Sequence, residues 1–384
     1  MVKPIAKLFQ DPEKNILAEI GKTAALMEGI IDLSIGDPDP TTAKPILDDA
    51  YEAMKNGATH YTASAGDPAY LQAVLEFHKK YFNLDYDLSN VRATAGASHA
   101  LFIAMGAILD PGDEVLVLEP YFSSYKVEIE AFGGKPVFVK TKPENGFQPD
   151  VADLETAVST KTKAIIVNSP CNPSGAVFSR ETLTKIVQFA EKYDLYIFAD
   201  EVYWPYVFGD NEFIPIESLA KDRTIVTGSL SKAFSMTGFR IGYLLASEPI
   251  ITAASLLNEG VCYTPVAVSQ HAGTYALNHI EEFMPPLQKS FEERLTYLSE
   301  ALAKVPYLKV SPAAGSIYLF VDIRQTGMDD VAFSDYLLKE KNVLVIPGQA
   351  FGASGKGFIR IAATQDMPAL KQAVAAFETL ELPN

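Results

Sequence analysis

Short apolar runs alternate with amphipathic stretches over much of this chain. The runs are rich in Val, Ile, Leu and Tyr and show little polar alternation, which is typical of strands in a sheet covered on both faces. They lie at residues 115–118, 136–139, 164–167, 196–199, 224–227 and 243–246. The stretches between them have helical spacing, so the pattern predicts strand–helix–strand units and a mainly parallel sheet.

Turn and cap residues indicate where two of the helices begin or end. Ser179 and Thr182 are candidate caps of a helix that runs to about residue 193. Gly57 stands where a glycine would end a helix over residues 43–56. The helix that begins near Ser179 lies between two predicted strands, and the helix at 43–56 precedes the first predicted strand. Both positions are compatible with an α/β fold.

After about residue 285 the pattern changes. A long helix is predicted over residues 287–304, and closing helices follow later. Four short strands are expected between them, at 308–311, 317–321, 343–346 and 357–361. This mixture is typical of a smaller α+β domain. The pattern alone allows the N-terminal segment to pack on either part; we divide the chain into a large domain, 45–284, and a small domain formed by 1–44 with 285–384.

Charge and cysteine content argue against several classes of function. The chain has 48 acidic and 32 basic residues among 384, a formal charge of −16. That balance argues against nucleic-acid and anionic-membrane partners. Cys171 and Cys262 are isolated, no Cys/His cluster suits zinc, and no apolar run approaches the roughly 18 residues of a membrane span. We expect a cytoplasmic protein with no metal ion, nucleic acid or membrane segment.

The most informative segment is 228–243, with the sequence GSLSKAFSMTGFRIGY. Lys232 lies just past a predicted buried strand, which is where α/β sheets bind their ligands. A solvated lysine in a loop is the simple alternative. The chemical interpretation is a lysine that forms a Schiff base, with Ser229 and Arg240 binding a phosphate beside it.

Two further segments have polar side chains at the ends of predicted strands. Asn172 lies in NSPCNPSG (168–175), and Asp200 lies in FADEVY (198–203). A tight turn would explain the first segment, and a helix cap would explain an aspartate in the second. A carboxylate at the end of an apolar strand is nevertheless costly to bury unless it has a partner.

Two more segments are suited to binding anions. Residues 95–101, AGASHAL, begin an apolar helix, and free N–H groups at such a start can hold a phosphate. An ordinary cap at Ser98 is the alternative. Arg360 lies inside an apolar strand, in GFIRIA (357–362), where a guanidinium needs a carboxylate from the protein or from a ligand.

In their order along the chain, NSPCNPSG, DEVY and SLSKAFSMTGFRIGY resemble the class I and II aminotransferases, a large group of fold-type I enzymes. The resemblance covers essentially the whole chain. It implies an α/β fold with a large domain and a smaller α+β domain. The large domain would contain a mainly parallel sheet in three layers and would bind a cofactor. It also implies pyridoxal 5′-phosphate as that cofactor.

The resemblance also implies catalytic roles. Lys232 would form the Schiff base with the cofactor and then move a proton at the substrate α-carbon. Asp200 would pair with the protonated pyridine nitrogen, which makes the ring an electron sink. Tyr203 and Asn172 would hydrogen-bond the oxygen substituent of the ring.

The rest of the implied cofactor site consists of aromatic and phosphate-binding groups. Phe122 would stack on the pyridine ring, with Tyr121 as the alternative if the register differs by one. Tyr61 would reach the phosphate bound by the partner subunit, which implies a homodimer with shared active sites. The phosphate ligands within one chain would be the N–H group of Ala97, Ser98, Ser229 and Arg240.

The implied substrate residues lie far apart along the chain. Arg360 would bind the α-carboxylate through two hydrogen bonds, while Gly36 and Asn172 would line the same pocket. Ser98 stands where one branch of aspartate aminotransferases has a lysine that helps to select acidic substrates. This difference weakens an assignment to aspartate by that route.

We therefore expect an aminotransferase that moves the amino group of an L-amino acid to a 2-oxo acid, with 2-oxoglutarate as the expected acceptor, in a ping-pong reaction. A carbon–sulfur β-lyase or related elimination enzyme is the first alternative, although the FSMTGFR run is closer to transaminases. A non-catalytic cofactor-binding sensor is the second. The family pattern begins too early to leave room for a winged helix, and the acidic charge also argues against such a sensor.

Overall fold

The computed structural model describes residues 2–6, 10 and 16–383, which form three sheets and the helices around them. The strands are β1 (Ile31–Asp32), β2 (Val91–Thr94), β3 (Glu114–Glu119), β4 (Lys135–Lys140), β5 (Thr162–Asn168), β6 (Tyr196–Asp200), β7 (Thr224–Ser229), β8 (Gly242–Leu245), β9 (Tyr318–Asp322), β10 (Val343–Leu344), β11 (Ile346–Pro347) and β12 (Phe358–Ala362). The helices are α1 (Ile16–Leu26), α2 (Lys44–Lys55), α3 (Pro68–Phe82), α4 (Ala97–Ile108), α5 (Ser124–Ala131), α6 (Val151–Ala157), α7 (Arg180–Lys192), α8 (Glu217–Ala220), α9 (Leu230–Ala233), α10 (Glu248–Glu259), α11 (Ala267–Asn278), α12 (Ile280–Leu302), α13 (Asp330–Lys341) and α14 (Met367–Glu378).

The largest sheet has seven strands in the order β2-β8-β7-β6-β5-β3-β4, and only β8 runs against its neighbours. The prediction of a mainly parallel α/β sheet is therefore confirmed. Because β8 is antiparallel, its first residues lie at the same edge as the carboxyl ends of β2, β3, β5, β6 and β7. This edge therefore gathers the segments that follow five strands and the one that precedes β8, and such edges bind ligands in α/β folds.

Both faces of this sheet are buried, as its apolar strands predict. On β5, Ile165 and Val167 pack on one face while Ala164 and Ile166 pack on the other, and none is more than 3% exposed. Residues of α3, α7 and α11 join the first cluster, and residues of α4, α5 and α10 join the second. The large sheet is thus the middle of three layers, and its strands carry apolar side chains on both sides.

Side chains at the helix ends explain where several helices begin and end. Ser179 caps α7, as predicted, by accepting a hydrogen bond of 3.1 Å from the backbone N–H of Thr182. Thr182 is therefore the donor within that cap and not a cap itself. Asp67 caps α3 in the same way, through the N–H of Ala69 at 2.8 Å. Gly57 follows α2 with a φ of +102°, which L side chains rarely adopt.

The C-terminal part contains a three-stranded antiparallel sheet, β11-β12-β9. The N-terminal strand β1 pairs in parallel with β10, so the segment around residue 31 packs against the C-terminal part. The predicted strand at 308–311 is reduced to a single bridge between Lys309 and Asp322. The predicted strand at 343–346 is divided into β10 and β11.

Helix α12 begins at Ile280, seven residues before its predicted start, and it runs across the predicted boundary at 284/285. Pro285 and Pro286 lie inside this helix, although neither has an N–H group to continue it. Phe283 and Met284 are buried in the core, however, and this packing holds the first turns in place. The division into two domains remains a prediction. None of the helices in the described ranges combines the length and hydropathy needed to cross a bilayer.

Candidate active site

A cavity of about 390 Å³ lies at the edge of the large sheet where the strand ends meet. Its wall is built by the segments that follow β2, β3, β5, β6 and β7, by the segment before β8, and by residues of the C-terminal part. The structure brings eleven of the twelve predicted site residues into this wall. They are Gly36, Ala97, Ser98, Phe122, Asn172, Asp200, Tyr203, Ser229, Lys232, Arg240 and Arg360.

Lys232 enters the cavity from the short helix α9, directly after β7. Ser229 caps this helix by accepting a hydrogen bond of 3.1 Å from the N–H of Ser231. The side-chain nitrogen Nζ of Lys232 donates to the carbonyl oxygen of Gly36 at 2.5 Å. Gly36 has no room for a side chain, because a Cβ atom there would lie 1.8 Å from the hydroxyl of Tyr318. The loop backbone can therefore approach the amine.

Asp200 lies at the carboxyl end of β6 and is only 6% exposed. Its carboxylate accepts hydrogen bonds from the hydroxyl of Tyr125 and from the N–H of Val202. Burial raises the pKa of Asp200 to about 6, and the Tyr125 hydrogen bond partly opposes that rise. Among the described residues no basic side chain bonds to this carboxylate. The site is thus suited to a cationic ligand group at Asp200.

An anion-binding cup lies at the start of α4. The helix begins at Ala97 after Gly96, whose φ is +86°, and a Cβ atom on Gly96 would lie 2.9 Å from Nη2 of Arg240. Arg240 donates to the carbonyl oxygens of Thr237 at 2.9 Å and Ala95 at 3.3 Å, which holds its guanidinium beside the free N–H groups of the helix. A helix N-terminus and a guanidinium together favour a phosphate.

Arg360 reaches the opposite part of the wall from β12 and is 4% exposed. It donates to Oδ1 of Asn172 at 3.0 Å and to the carbonyl oxygen of Ser34 at 2.5 Å. Its Nε atom is buried without a hydrogen-bond partner in the described part of the chain, where no carboxylate forms an ion pair with it. Burial lowers the pKa of Arg360 from its ordinary value. A ligand carboxylate would supply the missing partner.

Tyr203 and Asn172 lie between Asp200 and Arg360. Burial, and then the neighbouring Tyr318, raise the pKa of Tyr203 well above its ordinary value, so the phenol stays protonated and can donate a hydrogen bond. Its hydroxyl lies 3.0 Å from the hydroxyl of Tyr318. The backbone N–H of Asn172 donates to Oδ1 of Asn168 at 2.8 Å, and Nδ2 of Asn168 donates to the carbonyl oxygen of Asp200 at 2.9 Å.

The two adjacent aromatic residues after β3 point to different surroundings. Phe122 lines the cavity and contacts Tyr125 edge to face, with ring centroids 5.7 Å apart. Tyr121 stacks on Phe138 instead, at 4.8 Å. This arrangement agrees with Phe122 as the aromatic residue of the site.

Tyr61 is the predicted site residue that the structure does not bring to this cavity. It is 84% exposed, and its ring contacts Tyr263 edge to face at 5.3 Å. It borders a separate surface depression with Met54 and Val266. Within one chain, therefore, Tyr61 has no contact with the cavity.

Sequence reasoning missed several residues that complete the site. Tyr125 bonds Asp200, Tyr318 bonds Tyr203, and Asn168 joins Asp200 to Asn172. Asn168 could have been identified as a site residue from the sequence, because it directly follows a predicted strand, as Asp200 does. The periodicity of α5 and β9 marks Tyr125 and Tyr318 as buried, but not as partners of the site.

An α/β fold with these groups at its strand ends is suited to a ligand that combines a phosphate, a cationic group and a carbon that can react with an amine. The comparisons agree. The family described as aminotransferase class I and II matches residues 28–377. The aspartate aminotransferase of Pyrococcus horikoshii is 35% identical over 368 residues, 95% of this chain and 94% of that protein. The aromatic-amino-acid aminotransferase 2 of Thermococcus litoralis is 35% identical over 357 residues, 92% of each protein.

A solved structure gives the same result at the level of the fold. The aspartate aminotransferase of Thermus thermophilus with maleate superposes with a TM-score of 0.93 at 30% identity, covering 98% of this chain and 99% of that one. The chain therefore belongs to the class I and II aminotransferase family. It is an amino-acid aminotransferase that depends on pyridoxal 5′-phosphate, as the sequence predicts.

The cavity fits this cofactor at three points. The cup between α4 and Arg240 suits the phosphate, and the unpaired buried carboxylate of Asp200 suits the protonated ring nitrogen. The amine of Lys232 opens into the same space and suits the aldehyde carbon. Phe122 lines the wall where a flat ring would need an apolar face.

Proposed function

We propose that the enzyme transfers the amino group of an L-amino acid to 2-oxoglutarate in two half-reactions at this one cavity. The observation that carries the proposal is the pairing of an amine, Lys232, with a buried guanidinium that lacks a carboxylate, Arg360, in the same space. Amino acids and 2-oxo acids both carry a carboxylate next to the reacting carbon. One arginine can therefore orient the donor and the acceptor in turn.

The residues divide the work of the proposed reaction. The bound cofactor supplies a ring that withdraws electrons from the substrate α-carbon. The neutral amine of Lys232 takes a proton from that carbon at Nζ and returns one in the reverse half-reaction. The carboxylate of Asp200 holds the positive charge of the ring nitrogen, and the hydroxyl of Tyr203 and the amide of Asn172 donate hydrogen bonds to the ring oxygen.

Phosphate binding and substrate binding use opposite parts of the cavity. Ala97, Ser98, Ser229 and Arg240 hold the phosphate in this proposal, and their backbone and side-chain donors are supported by the geometry of the cup. Arg360 binds the α-carboxylate while Gly36 lines the same pocket. With the phosphate and the α-carboxylate bound in this way, the α-carbon of the substrate would lie near Lys232.

The donor side chain is a separate question. The relatives are named for aspartate and for aromatic amino acids. Ser98 provides no positive charge for an acidic side chain. A panel with aspartate, phenylalanine and asparagine as donors would rank the substrate class directly, and the 2-oxo acid can be varied in the same assay.

We further propose a homodimer with shared active sites. Tyr61, Tyr263 and Val266 are 84%, 43% and 58% exposed and lie together at one surface. Apolar surface of this kind is typical of a protein interface. Tyr61 would reach the phosphate bound by the second subunit, which accounts for its distance from the cavity of its own chain.

Both cysteines of the chain are free. Cys171 is buried and Cys262 is exposed, and neither forms a disulfide. Isolated thiols suit a reducing compartment. We therefore propose a cytoplasmic location for the enzyme.

The visible absorption spectrum of the purified protein tests the proposed function. The band of the bound cofactor should change to that of its aminated form when a donor is added and return when 2-oxoglutarate follows. Lys232→Ala should lose turnover while remaining folded, and Lys185→Ala, which changes an exposed lysine on α7, should behave as the parent. Ordinary activity in Lys232→Ala would contradict the proposal. Release of pyruvate and ammonia from cysteine-like substrates without any 2-oxo acid would favour the lyase alternative.

A further inference from the structure

Two carboxyls and a phenol form a buried acidic cluster behind the cavity wall. We use this name for Tyr125, Glu128 and Asp200. The hydroxyl of Tyr125 donates to Oδ2 of Asp200, and Glu128 follows Tyr125 by three residues on α5, so both side chains lie on the same face of that helix. The three residues are 2%, 7% and 6% exposed. Glu128 has no role in the site described above.

One oxygen of the Glu128 carboxyl group is unusual because it is buried without a partner among the described residues. Its Oε2 atom is buried without a hydrogen bond in the described residues. Burial first, and then the charge of Asp200, raise the pKa of Glu128 to about 8. At neutral pH, therefore, Glu128 is mostly protonated while Asp200 is ionised.

Within the described ranges, no basic side chain acts on Tyr125 or Glu128 of the acidic cluster. The groups that face Tyr125 from other elements are Asp200 and the thiol of Cys171, whose pKa is raised by burial. On α4 the titratable residue is His99, whose Nδ1 accepts a hydrogen bond from the N–H of Ala95 just before that helix and whose pKa is lowered by burial. The lysines of β4 and of α5 are partly or fully exposed; they are Lys126, Lys135 and Lys140. A ligand that binds at Asp200 would bring a cation to a cluster that receives none from the described residues.

We propose that Glu128 couples proton release to the binding of the cofactor ring at Asp200. The positive charge of the ring nitrogen cancels the negative charge of Asp200, which had opposed the ionisation of Glu128. The carboxyl of Glu128 then loses its proton to solvent, and its new negative charge attracts the ring cation. Glu128 is a positioning residue in this sense, because it acts on the ring through Asp200 and Tyr125. This inference rests on the proposed role of Asp200.

Calorimetry with pyridoxamine 5′-phosphate measures this coupling apart from catalysis. The bound cofactor is first removed from each protein, and the probe is then added; it has the ring and phosphate of the cofactor but no aldehyde to react with Lys232. Its binding heat is measured at pH 7.5 in two buffers of different ionisation enthalpy, both free of phosphate and primary amines, and the difference gives the protons released. The parent should release more protons than Glu128→Gln, by up to one per site. From pH 6.5 to 8.5 the affinity of the parent relative to that variant should rise roughly three- to tenfold.

Glu130→Gln is the matched control, since it makes the same change on the same helix at a partly exposed residue with an ordinary environment. It should release as many protons as the parent. Glu128→Met, which replaces the carboxyl with an apolar group of similar length, should behave as Glu128→Gln, and circular dichroism checks that both are folded. Equal proton release by the parent and a folded Glu128 variant would overturn the inference. Failure of every protein, including the parent, to bind the probe would instead contradict the proposed function.

Discussion

The guanidinium of Arg360 is held in one orientation by the protein alone. Hydrogen bonds to Asn172 and Ser34 fix its two terminal nitrogens. The rings of Tyr318 and Phe351 lie 4.3 Å and 4.8 Å from its central carbon. A donor group fixed in this way loses little freedom when a carboxylate binds, so more of the interaction energy contributes to affinity.

Replacement of this residue tests that argument at the scale of a single side chain. Arg360→Lys should lower kcat/KM by roughly 10²–10³-fold for both the amino acid and the 2-oxo acid, because an ammonium group cannot make two parallel hydrogen bonds to a carboxylate. Steady-state kinetics with each substrate measures the loss. Cofactor affinity should remain within about twofold of the parent.

The matched control for that substitution is Arg324→Lys, since Arg324 is half exposed and pairs with Asp322 away from the cavity. We expect its kinetic constants to match those of the parent. A loss confined to only one of the two substrates in Arg360→Lys would contradict the idea of one shared carboxylate site.

A second buried polar cluster lies beside the large sheet, where four elements meet. Its members are His78, Glu201, Glu217 and Tyr243. His78 of α3 lies 3.1 Å from the hydroxyl of Tyr243 on β8 through Nε2, and its Nδ1 lies 3.6 Å from Glu217 of α8. Glu201, in the turn after β6, is the fourth member. Burial, and then the charge of Glu217, raise the pKa of Glu201 well above its ordinary value. This buried polar cluster thus joins elements that are distant in the chain.

This cluster predicts that stability declines as the solution becomes alkaline. The folded protein binds a proton at Glu201 that the unfolded chain has already lost above its ordinary pKa of 4.5, so stability falls as pH rises from there through the folded pKa. Glu201→Gln cannot ionise. Between pH 6 and pH 9, the free energy of unfolding measured with urea should therefore fall by roughly 1–3 kcal/mol less in this variant than in the parent.

Glu191→Gln provides the comparison, because Glu191 is exposed near the end of α7. Its stability should follow the parent at every pH. An identical decline in the parent and in Glu201→Gln would show that other groups control the alkaline loss.

At the scale of the whole molecule, the position of Tyr61 predicts complementation between two defective subunits. Lys232→Ala lacks the amine in its own site, and Tyr61→Ala would weaken the site of its partner. In a mixed dimer one site then lacks both residues while the other has both. Mixing the two variants under conditions that exchange subunits should restore about a quarter of the parent activity, since half of the dimers are mixed and each has one intact site.

Analytical ultracentrifugation should show a dimer for the parent and for both variants, which separates assembly from catalysis. If Tyr61 acted within its own chain, the mixed dimer would have no intact site. In that case, mixing would restore no activity. An active monomer would contradict the shared site as well.

The sequence predicted more of the site than of its surroundings. Lys232, Asp200 and Asn172 were found because each follows an apolar strand, and the ends of parallel strands meet at one edge of a sheet. The start of α12 was missed because two prolines argued locally against a helix that tertiary packing holds. The strand at 308–311 was overpredicted for the opposite reason, since an apolar run forms a ladder only where a neighbouring strand is available.

The alternation of strands and helices, the mainly parallel sheet and most chemical groups at its edge can be derived from the amino-acid sequence, although β2 was not among the predicted strands. Periodicity and chain connectivity decide these features locally. The contacts between distant side chains become visible in the folded chain alone: Tyr125 and Asp200 are 75 residues apart, and Lys232 and Gly36 are 196 residues apart. Such contacts depend on how helices and loops pack against the sheet, and no local pattern in the chain encodes that distance.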